Sequence, residues 1–315
     1  MGEKAIISAS RRTDIPAFFA EWLTGRLKEG YCTVANPFRK SQVFRISLSP
    51  AEVEAIVFWT KNPLPLLAHK ELLPLLESRY SFYFLFTLNG YPEVFEPALA
   101  RRREEITGAF TELSRRYGSH RVIWRYDPII ISTVTGYDFH RRNFLSLAKR
   151  LSGFTERVIV SIVDHYRTVG RRFSMLEKTS AIKVFTKERL KREAEFLPFI
   201  RELNEMARRE GIAMTSCSES FDLEGCGIDP GKCIDDRLIS SIMRSPADND
   251  GPENQKGARI YRKDPGQREL CLCTVSRDIG TASTCGHKCL YCYASAGDTD
   301  FSRTGPPCSE EGNRL

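Results

Sequence analysis

The chain has no run of about 18 apolar residues, so no segment reads as a membrane span. It has no G-x-x-x-x-G-K-[ST], no H-E-x-x-H and no G-x-S-x-G. Those absences remove the phosphate-loop, zinc-protease and serine-hydrolase readings. No internal repeat of fixed period occurs, which excludes solenoids and propellers. Met1–Ile7 carries charges and then a short apolar run, without the hydrophobic stretch and small-residue cleavage site of a secretory signal. The expectation is a soluble, cytoplasmic protein.

What is present is ordinary in bulk. The 315 residues suffice for one large domain or two small ones. Aromatics at 10% argue against disorder. Lys and Arg number 47 against 40 Asp and Glu, and the positive excess falls within residues 1–244. Much of it comes as arginine clusters: Arg11-Arg12, Arg101-Arg102-Arg103, Arg115-Arg116, Arg141-Arg142 and Arg171-Arg172. Their simplest reading is solvated helix faces, with a basic face for nucleic acid as the competing one.

Along residues 1–244, short β-branched or aromatic runs alternate with longer segments of helical period. Strands are expected at Ala5–Ala9, Val43–Leu48, Ala55–Trp59, Ser81–Leu88, Arg121–Trp124, Arg157–Val163 and Ile212–Ser216. Helices are expected over Ile15–Glu29, Leu64–Glu77, Pro97–Tyr117, Tyr137–Leu151 and Thr186–Glu210. The alternation predicts an α/β fold with a parallel sheet, and the number of units favours a full or partial TIM-like (β/α) barrel. Residues 245–270 read as a linker or long loop, 271–296 as a cysteine-rich cluster-binding segment, and 297–315 as a disordered tail. The expected strand ends are polar: Ser10 to Asp14, Thr60-Lys61-Asn62, Thr87 with Asn89, Arg125-Tyr126-Asp127, Asp164 to Arg167, and Cys217 to Glu219. Polar strand ends in succession suit a cavity at the C-terminal edge of such a sheet.

Cysteine is the informative residue. Of ten cysteines, all but Cys32 lie beyond residue 215. Clustered cysteines in a cytosolic chain point to metal rather than to a disulfide framework. Cys285-Gly286-His287-Lys288-Cys289-Leu290-Tyr291-Cys292 has the spacing C-x3-C-x2-C. Three thiolates from one loop can bind three irons of a cubane and leave the fourth open to a small molecule. The competing ligand set is zinc on the three cysteines and His287. Cys217, Cys233, Cys271 and Cys273 form a second set, enough for a closed site: a second [4Fe–4S] cluster suited to electron relay, or a structural zinc. Cys32 reads as core, Cys226 as incidental and Cys308 as a tail thiol.

The spacing with an aromatic, Tyr291, before the last cysteine is similar to the signature of the radical S-adenosylmethionine (SAM) superfamily. The resemblance implies a [4Fe–4S] cluster on Cys285, Cys289 and Cys292 whose open iron chelates SAM, and an enzyme forming a 5′-deoxyadenosyl radical. It also implies a reductant protein such as a ferredoxin or flavodoxin. In that superfamily the motif follows the first barrel strand; here it lies near the C-terminus, so the order reads as circularly permuted, with Asp278–Thr284 supplying the preceding strand or loop. Arg11, Arg12, Thr60, Lys61, Asn62 and Arg125 are candidates for SAM by their place at strand ends, arginine being suited to a carboxylate.

A broader likeness runs from Ala5 to Ala294. It rests on Ile7 to Pro16, Asn36-Pro37-Phe38, Val57 to Pro63, Val122 to Pro128, Gly231 to Asp235, Asp278-Ile279-Gly280 and Cys289 to Ala294. With these the chain resembles an uncharacterised group, the domain of unknown function 1848 family. That likeness implies architecture and a cysteine cluster, and no substrate. The alternative expectation is a zinc- or iron–sulfur-binding module that docks on nucleic acid without radical chemistry.

Overall fold

Phe82–Thr87 reads FYFLFT, and five of its six residues are buried. A strand apolar on both faces belongs inside a parallel sheet covered on both sides. In the computed structural model, which describes residues 4–36, 39, 41–243 and 261–295, this segment is such a strand. The strands are β1 (Ala5–Ala9), β2 (Tyr31–Ala35), β3 (Val43–Ser47), β4 (Val53–Thr60), β5 (Phe82–Thr87), β6 (Val122–Ile129), β7 (Arg157–Ile162), β8 (Ala213–Ser216), β9 (Asp229–Pro230) and β10 (Arg277–Asp278). Eight of them form one sheet in the order β10-β1-β4-β5-β6-β7-β8-β9. Every pairing in it is parallel. β2 and β3 form a separate antiparallel ribbon.

The helices are α1 (Ile15–Phe18), α2 (Ala20–Glu29), α3 (Leu64–Ala68), α4 (Leu72–Arg79), α5 (Arg103–Tyr117), α6 (Tyr137–Leu151), α7 (Arg167–Ser180), α8 (Lys187–Leu190), α9 (Phe196–Arg209) and α10 (Asp236–Met243). In α9, Phe196, Phe199, Ile200, Leu203, Asn204 and Ala207 are buried, the spacing of a single apolar stripe.

Alternation along each strand sends side chains to two cores. One face (Ile7, Ile56, Phe58, Phe84, Phe86, Trp124, Val158, Val160) packs on the helices. The other (Ile6, Val57, Tyr83, Leu85, Ile123, Ile159) packs on Cys233, Ile234, Ile239, Ile242, Cys271 and Cys273. The second core therefore draws on segments that follow β9 and precede β10, the two edges of the sheet. Thr274 N donates to Ile234 O at 3.1 Å, a main-chain bond between those segments. Tyr83 reaches into the same place: its hydroxyl donates to Cys233 O at 2.6 Å and accepts from Asp235 N at 3.1 Å.

β10 is held to β1 by one side chain. The Asp278 carboxylate accepts from Ser8 Oγ, Ser10 Oγ and Arg11 N, each at 2.8 Å, and from Gly280 N at 3.0 Å. Gly280 is required by this contact, because a Cβ there would stand 1.9 Å from Ser10 Oγ.

Several expected elements differ in detail. Ile15–Glu29 is two helices, broken at Phe19, whose backbone (φ −135°) leaves the helical region. Leu64–Glu77 is likewise two, α3 and α4. The expected Arg121–Trp124 strand runs on to Ile129, past Pro128, where the register with β7 shifts. Thr186–Glu210 resolves into α8 and α9. α7 was not anticipated: its apolar residues Val169, Phe173 and Leu176 are sparse among arginines. β2 was not anticipated either. Part of the expected linker, 245–260, and all of 297–315 fall outside the described residues. No helix among the described residues is long and apolar enough to cross a membrane.

Asp278→Ala orphans two part-buried hydroxyls and two main-chain donors, and is expected to destabilise the fold by about 2–4 kcal/mol. Urea denaturation checks it; Ser8→Ala, which removes a single donor, should lose much less.

Candidate functional site

The inner face of the sheet changes character toward the C-terminal ends of its strands. Two residues after Val57, Leu85, Ile123 and Ile159, the same face presents Trp59, Thr87, Arg125 and Ser161. These line a cavity of about 390 Å³, together with Ser10–Asp14, Asp164, Tyr166 and both cysteine sets. Apolar strand centres thus close the core, and polar strand ends open onto the cavity, as in parallel α/β sheets generally.

Three contacts position the loop carrying Cys285, Cys289 and Cys292. First, Asp14 caps α1 by accepting from Ala17 N, while its second oxygen accepts from Lys61 N and His287 Nε2, both at 2.7 Å. His287 is buried against Phe18, with ring centroids 4.7 Å apart. Second, Tyr291 enters a buried network. Its hydroxyl donates to Glu96 and accepts from Lys61 Nζ at 2.7 Å and Asn89 Nδ2 at 3.0 Å. Third, Arg172 on α7 donates to the carbonyls of Leu290 at 2.8 Å and Cys292 at 2.6 Å, with longer bonds to Cys289 and Ser295.

Burial pulls the Lys61 ammonium down, but Glu96 and Cys289 outweigh it, so its pKa lies above the ordinary lysine value. Burial pushes Glu96 up, but Lys61 and Tyr291 hold it below the usual carboxylate range. The pair is therefore charged. Burial raises the Cys289 thiol well above its usual value, and burial with the nearby Asp14 charge raises Cys285 to about 12.

The second set converges on the opposite wall. Cys217 follows β8, Cys233 follows β9, and Cys271 and Cys273 lie on a hairpin-like turn whose arms pair at Lys263 and Thr274. Cys233 Sγ donates to Cys217 Sγ at 3.6 Å, and Ile234 N donates to Cys273 Sγ at 3.4 Å. The neighbouring Cys233 and Cys271 thiols pull the Cys273 thiol well below the ordinary range. Among the described residues, no group of three or more His, Cys, Asp or Glu side chains is disposed as it stands to hold a metal ion.

A family described as a domain of unknown function (DUF1848) matches residues 6–294. The chain belongs to this family. No curated protein matches it. Both cysteine sets of this DUF1848 chain lie inside the matched span, as does every residue of the cavity described above except Ser295.

The six strand-end candidates divide. Thr60 Oγ1 accepts from Asn62 N and Asn62 Oδ1 from Leu64 N, so both shape the turn after β4. Lys61 is engaged by Glu96 and Tyr291. Arg11 donates to Ser276 Oγ at 3.2 Å and lies 3.8 Å from Asp264. Arg12 lines the cavity and makes no ion pair with a described residue. Arg125 pairs with Asp127, and its guanidinium lies 4.6 Å from the Trp59 ring centre. Asp14 is engaged by His287 and by Lys61 N.

Glu96, Arg172, Trp59 and Ser161 were missed. Trp59 and Ser161 were accessible through the two-residue period from Val57 and Ile159. Arg172 was read with Arg171 as solvated surface; instead it holds the cysteine loop. Asp164 and Glu219 share Lys187, at 2.7 and 3.0 Å, and Glu219 does not line the cavity.

Two expectations follow. Arg172→Ala should speed tryptic cleavage at Lys288 about tenfold or more, from the loss of charge-assisted bonds, with Arg172→Lys intermediate. Burial, partly offset by Lys187, raises Glu219 to about 7 from the ordinary 4.5. Its neutral form suits the fold, so its stabilising contribution is full below the ordinary value and lost as pH rises through 7. Urea titrations should therefore show wild type losing stability relative to Glu219→Gln between about pH 5 and 8; a difference flat with pH would contradict this.

Proposed function

We propose that the protein is a radical SAM-type enzyme, with Cys285, Cys289 and Cys292 holding a [4Fe–4S] cluster and SAM bound at its open iron. The observation that carries this reading is the position of those three thiols, on one loop, in the wall of a cavity at the C-terminal edge of a parallel sheet. The donor chemistry fits. The loop offers three soft thiol donors, the ligand type that iron–sulfur clusters take. A cubane spreads its thiolates over separate irons, so its ligands surround a volume rather than one point.

When bound, such a cluster supplies one electron to the sulfonium of SAM, yielding methionine and a 5′-deoxyadenosyl radical that abstracts hydrogen from substrate. The chain's own residues fix the loop and its surroundings. Arg172 holds the loop carbonyls, Asp14 orients His287, and Lys61 sets a cation beside Cys289. Tyr166 and Tyr293, with ring centres 5.9 Å apart, narrow the mouth against solvent.

We read the sheet as a partial barrel, permuted relative to radical SAM barrels. In support, β10 precedes β1 in space although it follows every other strand in sequence, and the Ile234–Thr274 bond spans the two sheet edges. The second thiol set is assigned to a second [4Fe–4S] cluster or zinc. Beside it, Leu270, Leu272 and Val275 are exposed near the exposed Arg262 and Lys263, a face suited to an acidic electron carrier of the ferredoxin or flavodoxin type.

The nucleic-acid reading draws less support. Arg101, Arg102, Arg116 and Arg141 are paired with Glu93, Glu105, Glu77 and a group of three carboxylates, which offsets part of the positive charge of those clusters.

Anaerobic reconstitution tests the proposal. Wild type, reduced with SAM present, is expected to form 5′-deoxyadenosine; the Cys285→Ala/Cys289→Ala/Cys292→Ala variant should form none and keep only the metal of the second set. If neither forms it and the variant keeps all its metal, the reading fails.

A further inference from the structure

Buried polar atoms in folded proteins almost always have partners, and one without a partner needs an explanation. Three such atoms belong to residues lining this cavity: Arg125 Nε, Trp59 Nε1 and Thr13 Oγ1. They come from three strand ends, β6, β4 and β1. Two of the three can only donate, and the third can donate. Arg125 already gives Asp127 its Nη2, and Asp127 is further bound by Ser161, so the guanidinium is held in one orientation with Nε left over. Its plane lies against Trp59, which restrains it a second time. Arg125 Nε and the Trp59 indole N–H are thus left without partners on two residues that line one cavity, a pair of donors suited to a ligand rich in acceptors. Arg12, which also lines the cavity and makes no ion pair with a described residue, adds charge of the same sign.

We propose that the substrate carries an oxyanion, a carboxylate or a phosphate, and that Arg125 and the Trp59 indole N–H anchor it. The inference rests on reading this cavity as the active site. It assigns the anchor to substrate rather than to SAM because Arg125 stands on the wall of the second thiol set: its charge acts on Cys217 and Cys233, whereas the cation beside Cys289 is Lys61. Arg125 is here a binding residue, and no chemical step is assigned to it.

The test is anaerobic equilibrium dialysis of the reconstituted full chain against radiolabelled inorganic phosphate and, separately, radiolabelled succinate, each with and without saturating SAM. One probe or both should bind saturably at one per chain, unaffected by SAM. Arg125→Met should weaken binding by about 10- to 100-fold and Trp59→Phe by about 3- to 10-fold, with Arg125→Lys between wild type and Arg125→Met. Circular dichroism and metal content verify that each variant is folded and loaded. Three results overturn the proposal: neither anion binds wild type, Arg125→Met binds as well as wild type, or SAM displaces the anion competitively, which makes Arg125 the seat of the SAM carboxylate. SAM binding measured in the same cells separates the two readings. An anion held through Arg125 by a protein that binds no SAM keeps the oxyanion site and rejects the radical SAM function.

Discussion

The Asp278 carboxylate is the constraint on which the rest depends. It gathers two serine hydroxyls and two main-chain N–H groups, and in doing so lays a two-residue strand against β1 across 270 positions of sequence. A pair of residues has too few ladder bonds to hold itself in a sheet. The charge-assisted bonds to Asp278 supply what the short ladder lacks. From that point the chain turns into the loop of Cys285, Cys289 and Cys292, so the placement of those thiols over the cavity follows from where Asp278 sits.

The same sheet face serves first a dry core and then a polar cavity. Ile6, Val57, Leu85, Ile123 and Ile159 make a dry inner core, and one alternation later Trp59, Thr87, Arg125 and Ser161 are polar or amphipathic. The cavity is therefore floored by rigid strand rather than by loop. What closes over it is less regular: a loop with Ser283 and Lys288 at positive φ, held by Arg172, His287 and Tyr291. A loop of that kind keeps its shape only through side-chain bonds from the scaffold, which is why so many buried polar residues surround it.

Much of this was legible in the sequence. The alternation of strands and helices, the polar strand ends and both cysteine sets were visible because each is a local pattern. Cys217, Cys233, Cys271 and Cys273 were grouped by residue type alone, and the fold brings them together. What escaped was long-range. An arginine on a charged helix looks solvated, and nothing near Arg172 in sequence reveals carbonyl partners 117 to 123 positions away. Glu96 sits in a stretch with no period, and its partners Lys61 and Tyr291 come from two distant segments. Helix breaks at Phe19 and between α8 and α9 depend on how the chain turns against the sheet, which periodicity does not encode.

The order in which the chain leaves the ribosome gives the β10–β1 pairing a further consequence. β1 emerges among the first described residues and its partner among the last. Until Asp278 is made, β1 presents an unpaired edge, the hazard that native sheets otherwise hide. The thiol loop follows β10, so its anchors Asp14, Lys61 and Glu96 are made well before the loop they hold. Any nascent fragment that ends before Asp278 is both sticky and unable to assemble the three-thiol loop. Formation of the three-thiol loop thus waits on closure of the sheet edge, and a fragment that lacks β10 is open to aggregation through β1.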